Sequence, residues 1–319
     1  MKLVVSGARY MADVPGLKAA EQWVDIVFAP DGRVLREVLP GAEVLLGWDF
    51  RAKDLVESFS AATDLRWVHW CGAGVDAALF PEFVESDVLL TNARGIFDRA
   101  IAEYVLCLIL SQAKRLPETC LLQSQSEWTY RQTERTDEKR VAVFGVGSIG
   151  QTIGALLQAV GMRVVGVGRT SRISGGVFSR IYGAGDRFDV LAIADWVVCA
   201  MPLTSETVDY FGRSEFQAMK PSARFINVGR GASVDEEALR EALEGGVIAG
   251  AALDVFRSEP LAPASTLWGT RNLIVSPHMS GDYVGYHQDM VRQFLDNLRL
   301  YLSAQPLENL VNKKIGYVN

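Results

Sequence analysis

Short apolar runs alternate with helical segments along most of this chain. Eleven runs rich in valine, leucine and isoleucine occur, at residues 3–5, 26–29, 44–47, 67–71, 88–91, 141–144, 164–167, 196–200, 225–228, 249–253 and 273–275. Uninterrupted apolar runs of this length are typical of strands covered on both faces, and strands that alternate with helices form parallel sheets. The sequence therefore predicts an α/β fold built from parallel sheets.

A polar stretch separates the first five runs from the last six. The pattern predicts a long helix over residues 98–122, kinked or interrupted at Pro117, and then a polar stretch over residues 124–140. That stretch is either a flexible linker or an extended crossover packed on a partner, because about 17 unstructured residues are unusual inside a compact protein. A final helix over residues 283–302 is expected to return to the first domain. The predicted domains are residues 1–97 with 283–319, and residues 98–282.

Three glycines follow the first strand of the second domain. Residues 139–150 read KRVAVFGVGSIG, in which Gly145, Gly147 and Gly150 have G-x-G-x-x-G spacing between an apolar strand and a helix. In a dinucleotide-binding turn one glycine allows the tight turn, one lets the backbone approach the pyrophosphate and one permits close helix–strand packing. The N–H groups at the start of such a helix are available to phosphate. The turn predicts a dinucleotide site, with S-adenosylmethionine as the lesser alternative.

The next strand distinguishes NAD from NADP. In an NAD site, an acidic residue about 20 residues further on binds the ribose 2′-hydroxyl. Here the segment GRTSR contains no carboxylate and offers Arg169, Thr170, Ser171 and Arg172. Guanidinium groups pair well with phosphate oxygens, so the segment favours a 2′-phosphate, although a solvated loop with two surface arginines is the structural alternative. We expect NADP(H) to be preferred, with NAD(H) as the second choice.

Composition excludes several classes of partner. The chain has 32 basic and 38 acidic residues and a net charge of −6, which leaves no basic excess for nucleic acid or an anionic membrane. The four cysteines lie far apart, without a Cys-x-x-Cys pair or a histidine cluster, so neither disulfides nor a metal site are expected. No apolar run is long enough for a signal peptide or a membrane span. These features predict a cytoplasmic protein that binds no metal, nucleic acid or membrane.

Three histidines, His69, His278 and His287, are the candidates for a general acid. His69 is expected in the core or at a pocket wall, and His287, on the last helix, at the surface. His278 follows an apolar strand, at the end where open α/β sheets collect ligands. Arg230 and Glu259 follow two other strands. A guanidinium can bind a carboxylate and a keto oxygen, and a carboxylate beside an imidazole favours the protonated ring, so the trio suits a 2-keto acid.

Five segments resemble one family. In chain order they are VFGVGSIG, MPLTSET, FINVGRGASVDEEAL, AALDVFRSEPL and IVSPHMSG. Arg230 and Glu259 lie 29 residues apart and Glu259 and His278 lie 19 apart, and this pattern resembles the D-isomer-specific 2-hydroxyacid dehydrogenases of the glyoxylate/hydroxypyruvate reductase type. The match is specific over residues 139–281 and patchier before them. The resemblance implies two doubly wound domains, a Rossmann cofactor domain inserted in a flavodoxin-like substrate domain, and a homodimer.

The resemblance also implies a role for each matching residue. Arg230 would bind the substrate carboxylate and keto oxygen, Glu259 would pair with His278, and His278 would be the general acid. The backbone amides of Ala73 and Gly74 would hold the substrate carboxylate. The residues implied around the cofactor are Ile101, Gly145, Gly147, Ser148, Ile149, Gly150, Arg169, Thr170, Ser171, Arg172, Ala200, Pro202, Thr204, Thr207, Val228, Gly229, Asp254, Ser280 and Gly281. For Asp254, a helix cap or salt bridge is the structural alternative.

The size of the substrate is less constrained. Trp48, after the third strand, and Tyr283 and Tyr286, after the His278 loop, are candidate pocket walls or interdomain core residues. Such aromatic rings would fill space around glyoxylate or hydroxypyruvate, or stack on a phenylpyruvate-like side chain. The expected reaction is hydride transfer from NADPH to a small 2-keto acid, which gives the D-2-hydroxy acid. The alternatives are a dinucleotide-sensing, corepressor-like binding protein on the same fold, and a phosphite- or formate-oxidising relative.

Overall fold

Two compact units make up the structure, a computed structural model that describes residues 1–318. The first unit combines Met1–Phe97 with the segment from Tyr283 onward, and the second is Asp98–Asp282. The strands of the N-terminal segment are β1 (Lys2–Ser6), β2 (Asp25–Ala29), β3 (Val44–Gly47), β4 (Trp67–Trp70) and β5 (Leu89–Asn92). Its helices are α1 (Gly32–Val38), α2 (Asp54–Ser58) and α3 (Pro81–Glu85).

The first sheet is wholly parallel, with strand order β2-β1-β3-β4-β5. This is the flavodoxin-like order, in which the chain moves first to one side of β1 and then to the other. Leu45, Val68 and Leu90 on neighbouring strands are buried in one apolar cluster, which explains why these strands read as apolar runs.

The second unit begins with two helices, α4 (Asp98–Ala113) and α5 (Leu116–Ser124). The predicted interruption of the long helix is therefore present, and it precedes Pro117. Arg115 adopts a left-handed φ of 53° and Pro117 lies in the first turn of α5, where its missing N–H costs no helical hydrogen bond. Further helices are α6 (Ser148–Ala159), α7 (Arg187–Ile193), α8 (Arg213–Ala218) and α9 (Glu236–Glu244).

Eight strands form the sheet of the second unit. They are β6 (Arg140–Phe144), β7 (Arg163–Val167), β8 (Arg172–Ile173), β9 (Arg180–Tyr182), β10 (Trp196–Cys199), β11 (Arg224–Asn227), β12 (Gly250–Leu253) and β13 (Leu273–Val275). Their order is β13-β12-β11-β10-β6-β7-β9-β8, and only β8 pairs antiparallel to its neighbour. From β9 to β13 this is the doubly wound Rossmann order, which reverses at β6. The predicted fold class is confirmed.

Two strands, β8 and β9, were not predicted from the sequence. They contain two and three residues in a segment rich in glycine, serine and arginine, so no apolar run marks them. The other strands begin and end within two residues of their predicted positions. The last helix, α10 (Tyr286–Leu302), starts three residues after the predicted residue 283 and belongs to the first unit, where Phe294 stacks on Trp67 of β4.

Candidate active site

The glycine turn has the shape that a pyrophosphate needs. Gly145 has a left-handed φ of 100°, and a Cβ on it would lie 2.5 Å from the Ala200 carbonyl oxygen. A Cβ on Gly150 would lie 1.9 Å from the Gly145 carbonyl oxygen, so neither position accepts a side chain. A Cβ on Gly147 would have open space around it: apart from the two neighbouring residues, no atom of residues 1–318 would lie within 4 Å of it. Gly147 therefore opens towards space at the start of α6, where the first N–H groups have no intrahelical partner.

The loop after β10 lies beside this turn, because β10 pairs with β6. Thr207 ties the loop together: its hydroxyl donates to the Pro202 carbonyl (2.8 Å) and accepts from the Thr204 N–H (2.8 Å). A Cβ on Gly229 would lie 2.8 Å from the Met201 carbonyl oxygen, so the loops after β10 and β11 pack backbone against backbone. These residues form one edge of the sheet at the position where its strand order reverses.

Other predicted cofactor residues differ in exposure. Ile101 and Val228 are buried, Ala200 and Ile149 are half-buried, and the Ser148 hydroxyl donates to a carboxylate oxygen of Asp98 on α4. Ser148 therefore links α6 to α4 through its side chain, and only its backbone remains for a phosphate.

The segment expected to bind a 2′-phosphate lies at the carboxyl end of β7. Arg169, Thr170, Ser171 and Arg172 are all exposed, and Arg172 begins β8. The segment itself contains no carboxylate, as the sequence shows, but the fold brings one to it from a later part of the chain. The Ser171 hydroxyl donates to Asp186, which lies 15 residues later and is brought back by β9.

A short hydrogen bond joins His278 and Glu259 at the carboxyl edge. His278 Nδ1 lies 2.7 Å from Glu259 Oε2, and the other carboxylate oxygen of Glu259 accepts the Phe256 N–H at 2.9 Å. Because a carboxylate can only accept, Nδ1 carries the proton and Nε2 is the ring nitrogen turned away from Glu259. Both side chains are about one quarter exposed, at 22% and 24%. The pair has the geometry of an imidazole oriented by a carboxylate.

Asp254 organises the backbone around His278. It is fully buried and accepts three hydrogen bonds, from the Ser276 hydroxyl (2.7 Å) and the N–H groups of Met279 (3.0 Å) and Ser280 (2.9 Å). Its backbone carbonyl accepts the His278 N–H at 2.8 Å. Asp254 thus holds the loop in which His278 adopts a left-handed φ of 53°, a conformation that costs a non-glycine residue energy. The helix-cap and salt-bridge interpretations do not describe these contacts, and the predicted cofactor contact stays a prediction.

One residue of this network was missed in the sequence. Tyr104 on α4 lies near Ser276 and Asp254, and burial raises the pKa of its phenol. Tyr104 therefore extends the Asp254–Ser276 network to a helix, which no local sequence pattern could indicate.

Arg230 follows β11, the strand between β10 and β12. Its guanidinium donates to the Gly229 carbonyl at 2.9 Å, and its own carbonyl accepts from the Asn227 side chain at 3.0 Å. A Cβ on Gly231 would lie 1.8 Å from the Phe256 carbonyl carbon, so the turn after Arg230 packs directly on the loop that carries Glu259. Arg230, Glu259 and His278 therefore follow three adjacent parallel strands, β11, β12 and β13, at one edge of the sheet.

The first unit holds the predicted substrate residues at the carboxyl ends of its own strands. The Ala73 carbonyl accepts from the Asn92 side chain at 2.6 Å, whereas the N–H groups of Ala73 and Gly74 donate no hydrogen bond within residues 1–318. Two N–H donors in one glycine-rich loop are suited to a carboxylate. Trp48 follows β3, the strand beside β4, and is half-buried.

Trp48 contacts one ring of an aromatic cluster in this unit. The His287 ring lies 5.2 Å from Trp48 and 4.0 Å from Tyr286, centroid to centroid. The expectation that His287 is a surface residue is wrong, because it is half-buried in this cluster. The Tyr283 hydroxyl donates to Asp289 at 2.6 Å, and burial together with this carboxylate raises the pKa of Tyr283 to about 12.

His69 is a core residue, as predicted. It is fully buried, burial lowers its pKa to about 3, and Nδ1 contacts the Thr91 hydroxyl at 2.8 Å. Its Nε2 has no hydrogen-bond partner in the part of the chain that the structure describes. A neutral, enclosed imidazole of this kind cannot deliver a proton at neutral pH.

Two features that would bind a metal or cross a bilayer are absent from residues 1–318. No group of three or more His, Cys, Asp or Glu side chains could hold a metal ion. No helix is long and apolar enough to cross a membrane.

Known proteins similar to this chain include a dehydrogenase family model and two reductases. The model of the NAD binding domain of the D-isomer specific 2-hydroxyacid dehydrogenases matches residues 106–280. A glyoxylate reductase from Thermococcus gammatolerans is 30% identical over 273 residues, 81% of this chain and 80% of that protein. Glyoxylate/hydroxypyruvate reductase B from Pectobacterium carotovorum is 33% identical over 260 residues, 80% of this chain and 81% of that protein.

A solved structure covers nearly all of this chain. The NADPH-dependent glyoxylate/hydroxypyruvate reductase from Sinorhizobium meliloti, in complex with NADP and sulfate, superposes with a TM-score of 0.86 at 28% identity and covers 99% of this chain and 100% of that one. The family model spans the glycine turn and all three of Arg230, Glu259 and His278. This chain belongs to the D-isomer specific 2-hydroxyacid dehydrogenase family, whose members are oxidoreductases that use a nicotinamide dinucleotide.

Proposed function

We propose that this protein reduces a small 2-keto acid, glyoxylate or hydroxypyruvate, to the D-2-hydroxy acid with NADPH. The observation that carries the proposal is the 2.7 Å hydrogen bond between His278 and Glu259 at the carboxyl edge of the second sheet. Similarity to glyoxylate and hydroxypyruvate reductases supports the substrate class. In this proposal residues 98–282 bind the cofactor, and residues 1–97 with 283–319 bind the substrate.

His278 acts as the general acid. When bound, the reduced nicotinamide supplies the hydride. Glu259 accepts a hydrogen bond from Nδ1 and orients the ring, so that the imidazolium can give its Nε2 proton to the keto oxygen of the substrate. After this transfer the neutral ring keeps its hydrogen bond to Glu259, which preserves its orientation for the next turnover.

Arg230 and the glycine-rich loop bind the substrate. The planar guanidinium of Arg230 pairs with the carboxylate and the keto oxygen, and it polarises the carbonyl for reduction. The N–H groups of Ala73 and Gly74 hold the carboxylate. Trp48 and Tyr283, with the cluster around His287, limit the size of the substrate side chain.

A kinetic survey tests the proposed reaction. Oxidation of NADPH and of NADH is followed by absorbance with glyoxylate, hydroxypyruvate, pyruvate and phenylpyruvate. We expect turnover with glyoxylate or hydroxypyruvate and a clear preference for NADPH. Tight cofactor binding without turnover on any of the four would favour the dinucleotide-sensing, corepressor-like binding protein. If formate or phosphite is oxidised and none of the four is reduced, the phosphite- or formate-oxidising alternative is favoured.

NADPH selectivity is proposed to reside in the exposed arginines after β7. We predict that replacing both Arg169 and Arg172 with glutamine raises the Kd for NADPH at least tenfold and the Kd for NADH less than threefold, because only NADPH carries the 2′-phosphate. Binding is measured by fluorescence titration. Arg213→Gln, a surface arginine on α8 paired with Glu241, is the matched control. Equal weakening of both dinucleotides would contradict the assignment.

A homodimer is proposed from the polar stretch after α5. Trp128 and Tyr130 are 101% and 87% exposed, and with Leu122 they line a groove of about 630 Å³. Large apolar side chains exposed together mark interaction surfaces on soluble proteins, and the family resemblance names a second copy as the occupant.

All four cysteines carry free thiols, which is in line with the proposed cytoplasmic location.

We predict that the double substitution Trp128→Ala and Tyr130→Ala converts a dimer into a monomer. The two rings are the exposed large apolar side chains of this stretch, and large aromatic anchors carry much of the binding energy at interfaces. Mass is measured by light scattering after size exclusion at several concentrations. Trp268→Ala, which removes another exposed tryptophan of the same unit, is expected to leave the mass unchanged. A double variant that stays dimeric would exclude this surface.

A further inference from the structure

A carboxylate from outside the GRTSR segment lies beside the residues proposed to read the ribose 2′-position. The Ser171 hydroxyl donates to Asp186 Oδ2, and the Gly183 N–H donates both to Ser171 Oγ (2.8 Å) and to Asp186 Oδ2 (2.9 Å). All three residues lie just beyond the carboxyl ends of β7 and β9, neighbouring strands of the second sheet. Two donors at this corner are therefore already bound to a side chain of the protein.

The fold holds Asp186 there. A short 3-10 turn, Ala184–Asp186, follows β9 and leads into α7. A Cβ on Gly183 would lie 3.0 Å from Ser171 Oγ, so the two loops approach without room for a side chain between them. The hydrogen bond from Ser171, that from the Gly183 N–H and the nearby Arg180 hold the pKa of Asp186 below its ordinary value. Asp186 is accordingly an anion at neutral pH.

A 2′-phosphate and this carboxylate make incompatible demands. Both only accept hydrogen bonds when ionised, and the Ser171 hydroxyl has one proton to give. A phosphate carries about −1.5 to −2 charges at pH 7, so it also repels Asp186. A ribose 2′-hydroxyl can instead donate to a carboxylate.

We propose that Asp186 is a cofactor-specificity residue that opposes the arginines: its carboxylate occupies the Ser171 hydroxyl and weakens 2′-phosphate binding relative to a 2′-hydroxyl. This inference rests on the proposed function, since it takes this corner as the site that reads the 2′-position. Arg169 and Arg172 attract the phosphate and Asp186 limits how strongly NADP(H) is preferred over NAD(H).

The test compares binding of NADP⁺ and NAD⁺ to the full chain by calorimetry, without any substrate. Asp186→Asn keeps the shape of the side chain and removes its charge. We expect the ratio of Kd for NADP⁺ to Kd for NAD⁺ to fall about tenfold, through tighter NADP⁺ binding. Asp189→Asn, which removes an exposed carboxylate three residues away on α7, is the matched control and is expected to leave the ratio within twofold.

Two results separate this inference from the proposed function. The ratio in the unsubstituted protein tests NADPH preference, whereas the change on substitution tests Asp186. A ratio that is unchanged in Asp186→Asn, or equally changed in Asp189→Asn, would overturn the role of Asp186 whatever the starting preference.

In a Ser171→Ala background the effect of Asp186→Asn on the Kd ratio is expected to shrink, because the shared donor is gone. If Asp186→Asn does not fold, Asp186→Ser, which retains an acceptor for Gly183, is measured with the same expectation.

Discussion

Replacing His278 with asparagine is expected to lower kcat about a thousandfold while the Kd for NADPH changes less than threefold. The substitution removes the proton donor, and a positioned general acid contributes typically about 10²- to 10⁴-fold to a rate. His278 contacts Glu259 through Nδ1, and its backbone is held by Asp254. The glycine turn lies on other loops and is unaffected. Stopped-flow or steady-state oxidation of NADPH measures kcat, and fluorescence titration measures Kd.

Asparagine is chosen because of the backbone at this position. His278 has a φ of 53°, in the left-handed region that asparagine tolerates better than alanine. His278→Ala is the companion variant: equal losses of kcat in the two variants assign the effect to the missing imidazole. Thermal unfolding checks that the loop is intact. Turnover at the original rate in His278→Asn would remove the proposed acid from the mechanism.

Most of the fold could be predicted because its signals are local. Each central strand is a run of apolar residues that must be covered on both faces, as Val141–Phe144 of β6 are, so composition alone marks it. The glycine spacing marks the turn into α6 because Gly145 and Gly150 each lie against backbone atoms, where no Cβ fits. Strands β8 and β9 lack such a signal, because they are two and three residues long and each contains an exposed arginine.

The same distinction between local and long-range signals explains which residues of the candidate site could be predicted. Arg230, Glu259 and His278 could be predicted because each directly follows a strand, and the ends of parallel strands meet at one edge. Asp186 at Ser171, Tyr104 at Ser276 and His287 at Trp48 are contacts between residues far apart in the sequence. They depend on how loops and helices return to the sheet, which no spacing along a single chain specifies.

Replacing Arg230 with lysine is expected to raise the KM for the keto acid about 30- to 100-fold, with a smaller loss of kcat. Hydrogen bonds to charged groups contribute about 1.5–3 kcal/mol, and lysine cannot form the two parallel bonds of the planar guanidinium. Lysine keeps the positive charge, so long-range attraction of the substrate is retained. Steady-state kinetics with glyoxylate and hydroxypyruvate at saturating NADPH separate the two constants.

The matched control is Arg240→Lys. Arg240 lies on α9 and pairs with Glu237 and Glu244, so the same chemical change there is expected to leave KM within twofold. The turn after Arg230 packs on the Glu259 loop at Gly231, so the backbone at residue 230 is expected to keep its place in the lysine variant. A KM that is unchanged in Arg230→Lys would therefore contradict a guanidinium clamp. A loss of kcat alone would instead assign Arg230 to polarisation of the carbonyl, because uniform binding of substrate would then be intact.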